Sequence, residues 1–285
     1  MKILFLGGGN MAQAMLAGLI AQKFPSENIC VVEPLQDARD AVSALGVDAF
    51  SSFTTNLLGC DAILLAVKPQ MMREAVSPLA GVLTGQVVIS IAAGVNTTTL
   101  GLWLADSVNP YANVVRAMPN TPALIRAGIT GLHAAIGVGE AGRQIADALM
   151  GTVGKTVWFD DEAMLDAVTA VSGSGPAYVF YFIEALEQAA LELGFDSERA
   201  RLFACQTFLG GAQLAASANE SPIALRARVT SKRGTTECAI ETFEKRALKQ
   251  AIIEGVKAAC TRSRELGREL SASPAAPVGL AGGPV

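Results

Sequence analysis

The sequence has very little histidine and little charge. His133 is the only histidine, and charged residues make up 17% of the chain, with 22 basic and 26 acidic side chains giving a net charge of −4. A single imidazole excludes a histidine-rich metal site and any mechanism that needs two histidines, so we expect no metal. An acidic chain also lacks the broad basic surface that nucleic-acid binding requires, so we expect no nucleic-acid partner.

Long apolar runs are also missing, although 51% of the residues are hydrophobic. No run approaches the roughly 18 residues of a membrane span, so we expect no contact with a membrane. The first residues, MKILFL, run directly into glycines and lack the longer apolar stretch and cleavage site of a secretory signal. No CxxC pair occurs, and an odd, scattered set of cysteines fits a reducing compartment, here the cytoplasm. The five are Cys30, Cys60, Cys205, Cys238 and Cys260.

The order of the predicted elements indicates two domains followed by a tail. Residues 1–160 alternate short β-branched runs with helical patterns, which predicts a Rossmann-type, doubly wound, mainly parallel sheet that binds a dinucleotide. Residues 161–270 show only helical periods and predict an all-helical domain. Residues 271–285 are rich in Pro, Ala and Gly and predict a disordered tail. The candidate strands are Lys2–Leu6, Ile29–Glu33, Ala62–Val67, Val87–Ile91, Val114–Ala117 and Lys155–Phe159.

The helical part has recognisable starting points. Pro176 suits a first helical turn, and either Asp196 or Ser197 suits the N-cap of a helix that ends near Ser217. Ser221 and Pro222 open a short helix in the same way. The last helix is predicted from about Arg246 to Leu270, and its apolar stripe is expected to be buried. That stripe consists of Leu248, Ala251, Ile252, Gly255, Val256 and Ala259.

A glycine-rich motif follows the first predicted strand and opens a helix. Its residues are Gly7, Gly8, Gly9, Asn10, Met11 and Ala12, which fit GxGxxG/A. Gly7 permits a tight turn, Gly9 lets the backbone approach a pyrophosphate, and Ala12 allows close contact between helix and strand. The helix N-terminus offers N–H groups to the phosphates. The position, the flanks and Glu33 at the end of the next strand favour dinucleotide binding over a simple tight turn.

Glu33 bears on the choice of cofactor. A carboxylate at this strand end can accept a hydrogen bond from the ribose 2′-OH of NAD and would repel a 2′-phosphate. The nearest following basic residue is Arg39. NAD is therefore slightly favoured over NADP, unless Glu33 points to solvent and the loop adapts.

Three further segments lie at predicted strand ends, where ligands of open α/β sheets bind. Ala66, Val67 and Lys68 form the first, in which Lys68 either neutralises phosphate or is a solvated loop lysine. The second contains Ala92, whose small side chain leaves room for a nicotinamide ring. The third contains Asn120, which either hydrogen-bonds a ligand or serves simple turn chemistry.

Two motifs belong to the helical part. Residues 172–178 read SGSGPAY and combine flexible backbone with two hydroxyls before a helix, which suits either close approach to a ligand or a kinked helix junction. Residues 229–237 read VTSKRGTTE and form a hydroxyl-rich loop that leads into a helix. Ser231 and the helix N–H groups form a natural carboxylate receptor. Thr235 or Thr236 can also be an ordinary N-cap.

Together these motifs resemble the pyrroline-5-carboxylate reductase family over about residues 1–268. The glycine motif and AVKP occur in other dehydrogenases, whereas SGSGPAY and the TS-x-x-GTT loop are much more specific. The resemblance implies reduction of 1-pyrroline-5-carboxylate to L-proline with NADPH or NADH. It also implies that residues 161–270 bind substrate and form a homo-oligomer, a dimer through interlocked helices with a decamer among its higher forms. Each active site would join the cofactor of one subunit to the TS-x-x-GTT loop of its partner.

The resemblance also implies roles for individual residues. Ser231, Gly234 and Thr235 would hold the substrate carboxylate, and Thr236 would hydrogen-bond the ring nitrogen as the catalytic residue. The cofactor site would consist of Gly7, Gly9, Asn10, Met11, Ala12, Glu33, Ala66, Val67, Lys68, Ala92 and Asn120. The chain departs from the common loop at Lys232 and Arg233, where the family has Pro-Gly or Lys-Gly. Arg233 implies either a backbone without positive φ or a strained residue, and its cation could assist carboxylate binding.

The sequence leaves two alternative functions open. The first is an oxidoreductase related to 3-hydroxyacid dehydrogenases, which place a catalytic lysine in the helical domain. Residues 177–194, the helix after SGSGPAY, contain no lysine. The second is a non-catalytic NAD(P)-binding protein, which has no need of the hydroxyl-rich loop at Ser231–Thr236.

Overall fold

The computed structural model describes residues 1–106 and 108–272. The described residues form an eight-stranded sheet in the order β3-β2-β1-β4-β5-β6-β7-β8, parallel except that β7 runs antiparallel to β6. This confirms the predicted doubly wound, mainly parallel fold. The strands are Ile3–Leu6 (β1), Ile29–Val32 (β2), Asp48–Phe50 (β3), Ala62–Leu65 (β4), Val87–Ser90 (β5), Val114–Met118 (β6), Gly128–Ala134 (β7) and Gly154–Trp158 (β8).

The strand order reverses at β1, and this places a crevice at one edge of the sheet. Ile3 pairs with Ile29 of β2 on one side and with Ala62 of β4 on the other. Successive βα crossovers therefore lead away from β1 in both directions, and ligands bind at this switch point outside the carboxyl ends of the strands. Every residue of β1, β4 and β5 is buried, as expected for strands with both faces covered by helices.

Helices cover both faces of the sheet and form two cores. One core contains Met15, Leu16 and Leu149, and the other contains Met72, Val76 and Leu100. Burial of each such side chain contributes about 1.5–3 kcal/mol to folding. The helices concerned are Asn10–Ala21 (α1), Gln36–Ser43 (α2), Met72–Val76 (α3), Thr97–Trp103 (α4), Glu140–Gly151 (α5) and Met164–Val168 (α6), which continues as a π-helical turn, Thr169–Gly173.

The remaining helices belong largely to a second compact unit. One unit consists of Met1–Gly173 and Cys260–Val285, and the other of Ser174–Ala259. The last helix runs through both, so the predicted domain boundaries at residues 160 and 270 stay a prediction. The tail predicted for residues 271–285 lies outside the described residues from residue 273 onward. The helices are Gly175–Glu192 (α7), Ser197–Ser217 (α8), Pro222–Arg228 (α9), Thr235–Lys245 (α10) and Leu248–Ala272 (α11).

Local sequence signals explain where these helices begin. The Asp196 carboxylate accepts the Arg199 N–H at 2.8 Å, which makes Asp196 the N-cap of α8. The Ser221 hydroxyl accepts the Ala224 N–H at 3.3 Å at the start of α9. Both starts agree with the predicted capping residues, because a short polar side chain satisfies N–H groups that the helix leaves free.

The second unit leaves most of its large apolar side chains exposed in the single chain. Phe180 is 65% exposed, Tyr181 70% and Leu202 62%, and only Ala200 and Ala204 of helix α8 are buried. The prediction that the stripe on the last helix is buried is wrong for one chain, since Ile252 of α11 is 39% exposed. Hydrophobic periodicity indicates a face that avoids water, and here the single chain does not cover it.

Candidate functional site

The glycine-rich turn fits tightly against the end of β4. Gly7 has φ +101°, and a Cβ there would lie 2.6 Å from the Ala66 carbonyl oxygen. A side chain at Gly7 would therefore be strained and would also separate the turn from β4. At Gly9, by contrast, a Cβ would meet no atom of the described chain within 4 Å. The turn thus leaves open space above Gly9, at the start of helix α1.

The start of α1 presents free donors beside that space. The Gln13 N–H donates to the Gly9 carbonyl at 2.9 Å as the first bond of the helix. The N–H groups of Asn10, Met11 and Ala12 precede this bond and have no carbonyl within the helix. Ala12 is buried, as its predicted role in close helix–strand contact requires. This arrangement suits an anionic group such as a pyrophosphate.

Glu33 is held rigidly beside the glycine turn. Its Oε2 accepts the Gly8 N–H at 2.8 Å, and its Oε1 accepts the Leu35 N–H at 2.9 Å. The side chain is buried, so it does not point freely into solvent. Arg39 does not neutralise this carboxylate, because its guanidinium donates to the carbonyl oxygens of Glu33 and Pro34, at 2.8 and 2.6 Å.

The neighbouring strand ends complete the same edge of the sheet. The Ala66 N–H donates to the Leu6 carbonyl at 2.7 Å, and the Ile91 N–H donates to the Leu65 carbonyl at 3.1 Å. Ala92 is buried just beyond β5, whereas Lys68 is exposed just beyond β4. The structure therefore brings the predicted residues Gly7–Ala12, Glu33, Ala66–Lys68 and Ala92 together along the carboxyl ends of β1, β2, β4 and β5.

Asn120 joins this edge to the π-helical turn. Its Nδ2 donates to the Ser172 carbonyl at 3.1 Å, and its Oδ1 accepts the Ile129 N–H at 3.0 Å. The hydroxyls of Thr169 and Ser172 donate to the carbonyls of Leu165 and Val168, at 2.7 and 3.0 Å. These bonds satisfy carbonyl groups of α6 where the helix changes from α-helical to π-helical hydrogen bonding. The SGSG segment is thus a helix junction that Asn120 fixes, as one of the two readings of that motif predicted.

A buried ion-pair cluster lies under helices α4, α6 and α11 and was missed by sequence reasoning. Arg116 is 5% exposed, and its guanidinium lies 3.4 Å from a Glu162 oxygen and 3.5 Å from an Asp166 oxygen. Glu162 also accepts the N–H and the hydroxyl of Thr97, at 2.8 and 2.7 Å. Asp166 accepts the Ser263 hydroxyl at 2.9 Å. The sequence signal that could have indicated this cluster is the charged residue Arg116 inside the apolar run VVRAM.

The hydroxyl-rich loop lies in the second unit. Helix α10 begins at Thr235 with Gly234 as its N-cap, so neither Thr235 nor Thr236 is the cap. The Gly234 N–H donates to the Ser231 carbonyl at 3.0 Å. The hydroxyls of Ser231, Thr235 and Thr236 make no hydrogen bond within the described chain. The loop thus presents three free hydroxyls beside the N-terminus of a helix.

The backbone at Arg233 is strained. Its φ is +58°, so this arginine adopts the left-handed conformation that glycine favours. Its N–H donates to Glu237 Oε2 at 2.5 Å, which fixes the turn. The prediction that the residue is strained, one of two alternatives, is the correct one.

The described residues contain neither a metal-binding cluster nor a helix that could span a membrane. There, no group of three or more histidine, cysteine, aspartate or glutamate side chains is placed to hold a metal ion. No helix in residues 1–106 and 108–272 is long and apolar enough to cross a membrane. His133 is half-buried, and its Nδ1 lies 3.0 Å from the Phe159 carbonyl oxygen, so its side chain has a structural partner.

Family profiles match both parts of the chain. A profile described as "Pyrroline-5-carboxylate reductase dimerisation" matches residues 162–266. A second, described as "NADP oxidoreductase coenzyme F420-dependent", matches residues 2–94. The first covers the exposed helices of the second unit, and the second covers the glycine turn.

Curated relatives and solved structures agree with these profiles. A pyrroline-5-carboxylate reductase of Pseudomonas aeruginosa is 41% identical over 271 residues, which cover 94% of this chain and 98% of the relative. The structure of a pyrroline-5-carboxylate reductase from Coxiella burnetii has a TM-score of 0.85 at 39% identity and covers 93% of this chain and 98% of that one. A Plasmodium falciparum pyrroline carboxylate reductase with NADP bound has a TM-score of 0.81 at 27% identity, with the same coverage.

Proposed function

The chain belongs to the pyrroline-5-carboxylate reductase family, and from that premise we propose how its residues carry out the reaction. The reaction is the reduction of 1-pyrroline-5-carboxylate to L-proline with NADPH or NADH. The observation that carries the assignment of residues is the loop at Ser231–Thr236, whose hydroxyls are free and whose helix start is uncapped by a side chain. Neither a hydroxyacid dehydrogenase nor a non-catalytic NAD(P)-binding protein needs such a loop.

We propose that the cofactor binds along the carboxyl edge of the sheet. The open space above Gly9 and the free N–H groups of Asn10, Met11 and Ala12 would receive its pyrophosphate. Ala66, Val67 and Lys68 would line the middle of the cofactor. Ala92 would lie against the nicotinamide end, where its small side chain leaves room for the ring, and Asn120 would fix the turn beside it.

Glu33 would favour NADH. Its carboxylate oxygens are each held by one backbone N–H, yet each keeps a lone pair for a ribose hydroxyl. A 2′-phosphate would meet this negative charge, with which no described cation forms an ion pair, since the Arg39 guanidinium donates to carbonyl oxygens instead. We therefore propose NADH as the preferred of the two cofactors.

The substrate would be held by the hydroxyl-rich loop. Ser231 and Thr235 offer hydroxyls, and the start of α10 after its N-cap Gly234 offers free helix N–H groups to the substrate carboxylate. The Thr236 hydroxyl oxygen would accept a hydrogen bond from the protonated ring nitrogen and so align the C=N bond. A dimer would let the loop of one subunit complete the cofactor site of its partner. The dimerisation profile and the exposed apolar helices support this arrangement.

The chemistry needs little acid–base assistance from the protein. Bound NADH or NADPH supplies the hydride that reduces the C=N bond. A protonated imine is already electrophilic, and the amine that forms keeps its proton, so no dedicated acid is needed. The residues of the loop act by orientation, which can lower a barrier by about 7–11 kcal/mol when two reactants are well held. Thr236 would be the catalytic residue in this sense.

The oligomeric state and the cellular compartment of the protein are also proposals. We propose a homodimer as the catalytic unit, on which a decamer could be built. A cytoplasmic location is supported by the five cysteines, all of which are free.

The direct test is an assay of NADH and NADPH oxidation with 1-pyrroline-5-carboxylate, with proline measured as the product. We expect one proline for each cofactor oxidised. Oxidation of a 3-hydroxyacid in place of imine reduction would overturn the proposal in favour of the dehydrogenase alternative. Cofactor binding without turnover of either substrate would favour a non-catalytic binding protein.

A further inference from the structure

Arg233 occupies a backbone position that is unfavourable for its residue type. At φ +58° an L-residue brings its Cβ close to the neighbouring carbonyl oxygen, which is why glycine is the usual residue there. The chain therefore accepts a local strain at Arg233 that glycine would avoid.

No hydrogen bond or ion pair of the Arg233 side chain within the described chain offsets that strain. Its backbone N–H is bound to Glu237, and the next N–H, of Gly234, is bound to Ser231. Either bond would form equally well with glycine at position 233. The guanidinium itself is exposed and makes no hydrogen bond or ion pair within the described chain.

Two arginines that precede the loop in sequence are already paired. Arg226 lies 3.5 Å from Glu244, and Arg228 lies 2.6 Å from Glu220. The carboxylate of Glu237, in the first turn of α10, accepts the Arg233 N–H and opposes the approach of an anion. A free cation at Arg233 offsets that charge, and its planar fork can bind a carboxylate through two parallel hydrogen bonds.

We propose that Arg233 is a further substrate-binding residue, whose guanidinium pairs with the carboxylate of the imino acid. This rests on the proposed function, since it places the substrate at the loop of residues 231–236. A strained residue persists where the surrounding structure or a ligand depends on it. Here the unpaired Arg233 guanidinium would be needed by the substrate carboxylate. Arg233 thus strengthens a carboxylate receptor that is built otherwise from hydroxyls and backbone N–H groups.

The test compares three variants at saturating cofactor. In Arg233→Gly the backbone is relieved and the cation is lost, and in Arg233→Lys a cation is kept without the fork. Arg126→Gly is the matched control, because Arg126 is also an exposed arginine at φ +58°. We expect Arg233→Gly to raise the KM for pyrroline-5-carboxylate about 10-fold, equivalent to about 1.4 kcal/mol. Arg233→Lys should raise it about 3-fold, and the KM for NADH should be unchanged in both.

Thermal unfolding separates this role from a structural one. Both glycine variants relieve the same strain and should raise Tm by a similar small amount. Of the two glycine variants, only Arg233→Gly should raise the KM for the substrate, and its KM should depend less on salt than that of the wild type. An unchanged substrate KM in Arg233→Gly would overturn the proposal. Failure of the function as a whole would appear differently, as a wild-type enzyme that does not reduce pyrroline-5-carboxylate.

Discussion

The cofactor preference depends on one carboxylate, and Glu33→Gln tests it. The change keeps the size of the side chain and removes its charge. Two backbone N–H groups, of Gly8 and Leu35, donate to the two carboxylate oxygens at 2.8 and 2.9 Å. The charge therefore cannot swing away from an incoming 2′-phosphate.

The magnitude follows from electrostatics. Two unit charges about 4 Å apart repel by about 4 kcal/mol at an effective dielectric constant of about 20. Solvent and salt at this edge weaken the repulsion, so we expect a preference of about 2 kcal/mol. That corresponds to about a 30-fold higher kcat/KM for NADH than for NADPH in the wild type.

Glu33→Gln should lower that ratio about 10-fold, mainly because kcat/KM for NADPH rises. Glutamine has one acceptor oxygen, so one of the two backbone N–H groups loses its partner, and Tm should fall by a few degrees. Steady-state kinetics with both cofactors give the ratio. Glu27→Gln, the same change at an exposed residue before β2, is the control. A ratio unaltered by Glu33→Gln, or a wild type that strongly prefers NADPH, would refute the reasoning.

Three other predictions follow from the described contacts. Thr236→Ala should lower kcat about 10-fold to 100-fold through loss of one directed hydrogen bond, and an unchanged rate in stopped-flow assays would remove Thr236 from the site. Arg116→Leu leaves Glu162 and Asp166 without their cation and should lower the free energy of unfolding by about 3–5 kcal/mol, measured in urea; an unchanged midpoint would contradict the cluster. Burial raises the pKa of the Cys60 thiol to about 11, so iodoacetamide should label it at pH 8 roughly 100-fold more slowly than a free thiol; equal rates by peptide mass spectrometry would contradict the burial.

Much of the sheet could be predicted from the sequence because its central strands are short apolar runs between turn signals. The six predicted strands all exist, and their ends differ by no more than two residues. Strand β7 was missed because it contains Gly128 and Gly131, which usually indicate a turn. Here glycine serves close packing instead, since a Cβ at Gly131 would lie 2.9 Å from Val168 of helix α6.

The candidate site was predictable where its residues are close in sequence or follow the ends of predicted parallel strands. The glycine motif and the TS-x-x-GTT loop each gather their groups within one short segment, so their spacing identified them. The partners of Arg116 lie 46 and 50 residues further along the chain, and no local pattern indicates them. The apolar stripe of the last helix was predicted as buried because periodicity does not show whether the same chain or another copy covers a face.

The most direct measurement is a crystal structure of the oligomer with NAD⁺ and proline bound. The account predicts that the Thr236 hydroxyl lies about 3 Å from the ring nitrogen and that the carboxylate contacts Ser231 and the N-terminus of α10. The reacting ring carbon should then lie about 3–3.5 Å from the nicotinamide C4 of the partner subunit's cofactor. A loop that lies far from the nicotinamide in every pairing of subunits would contradict the account.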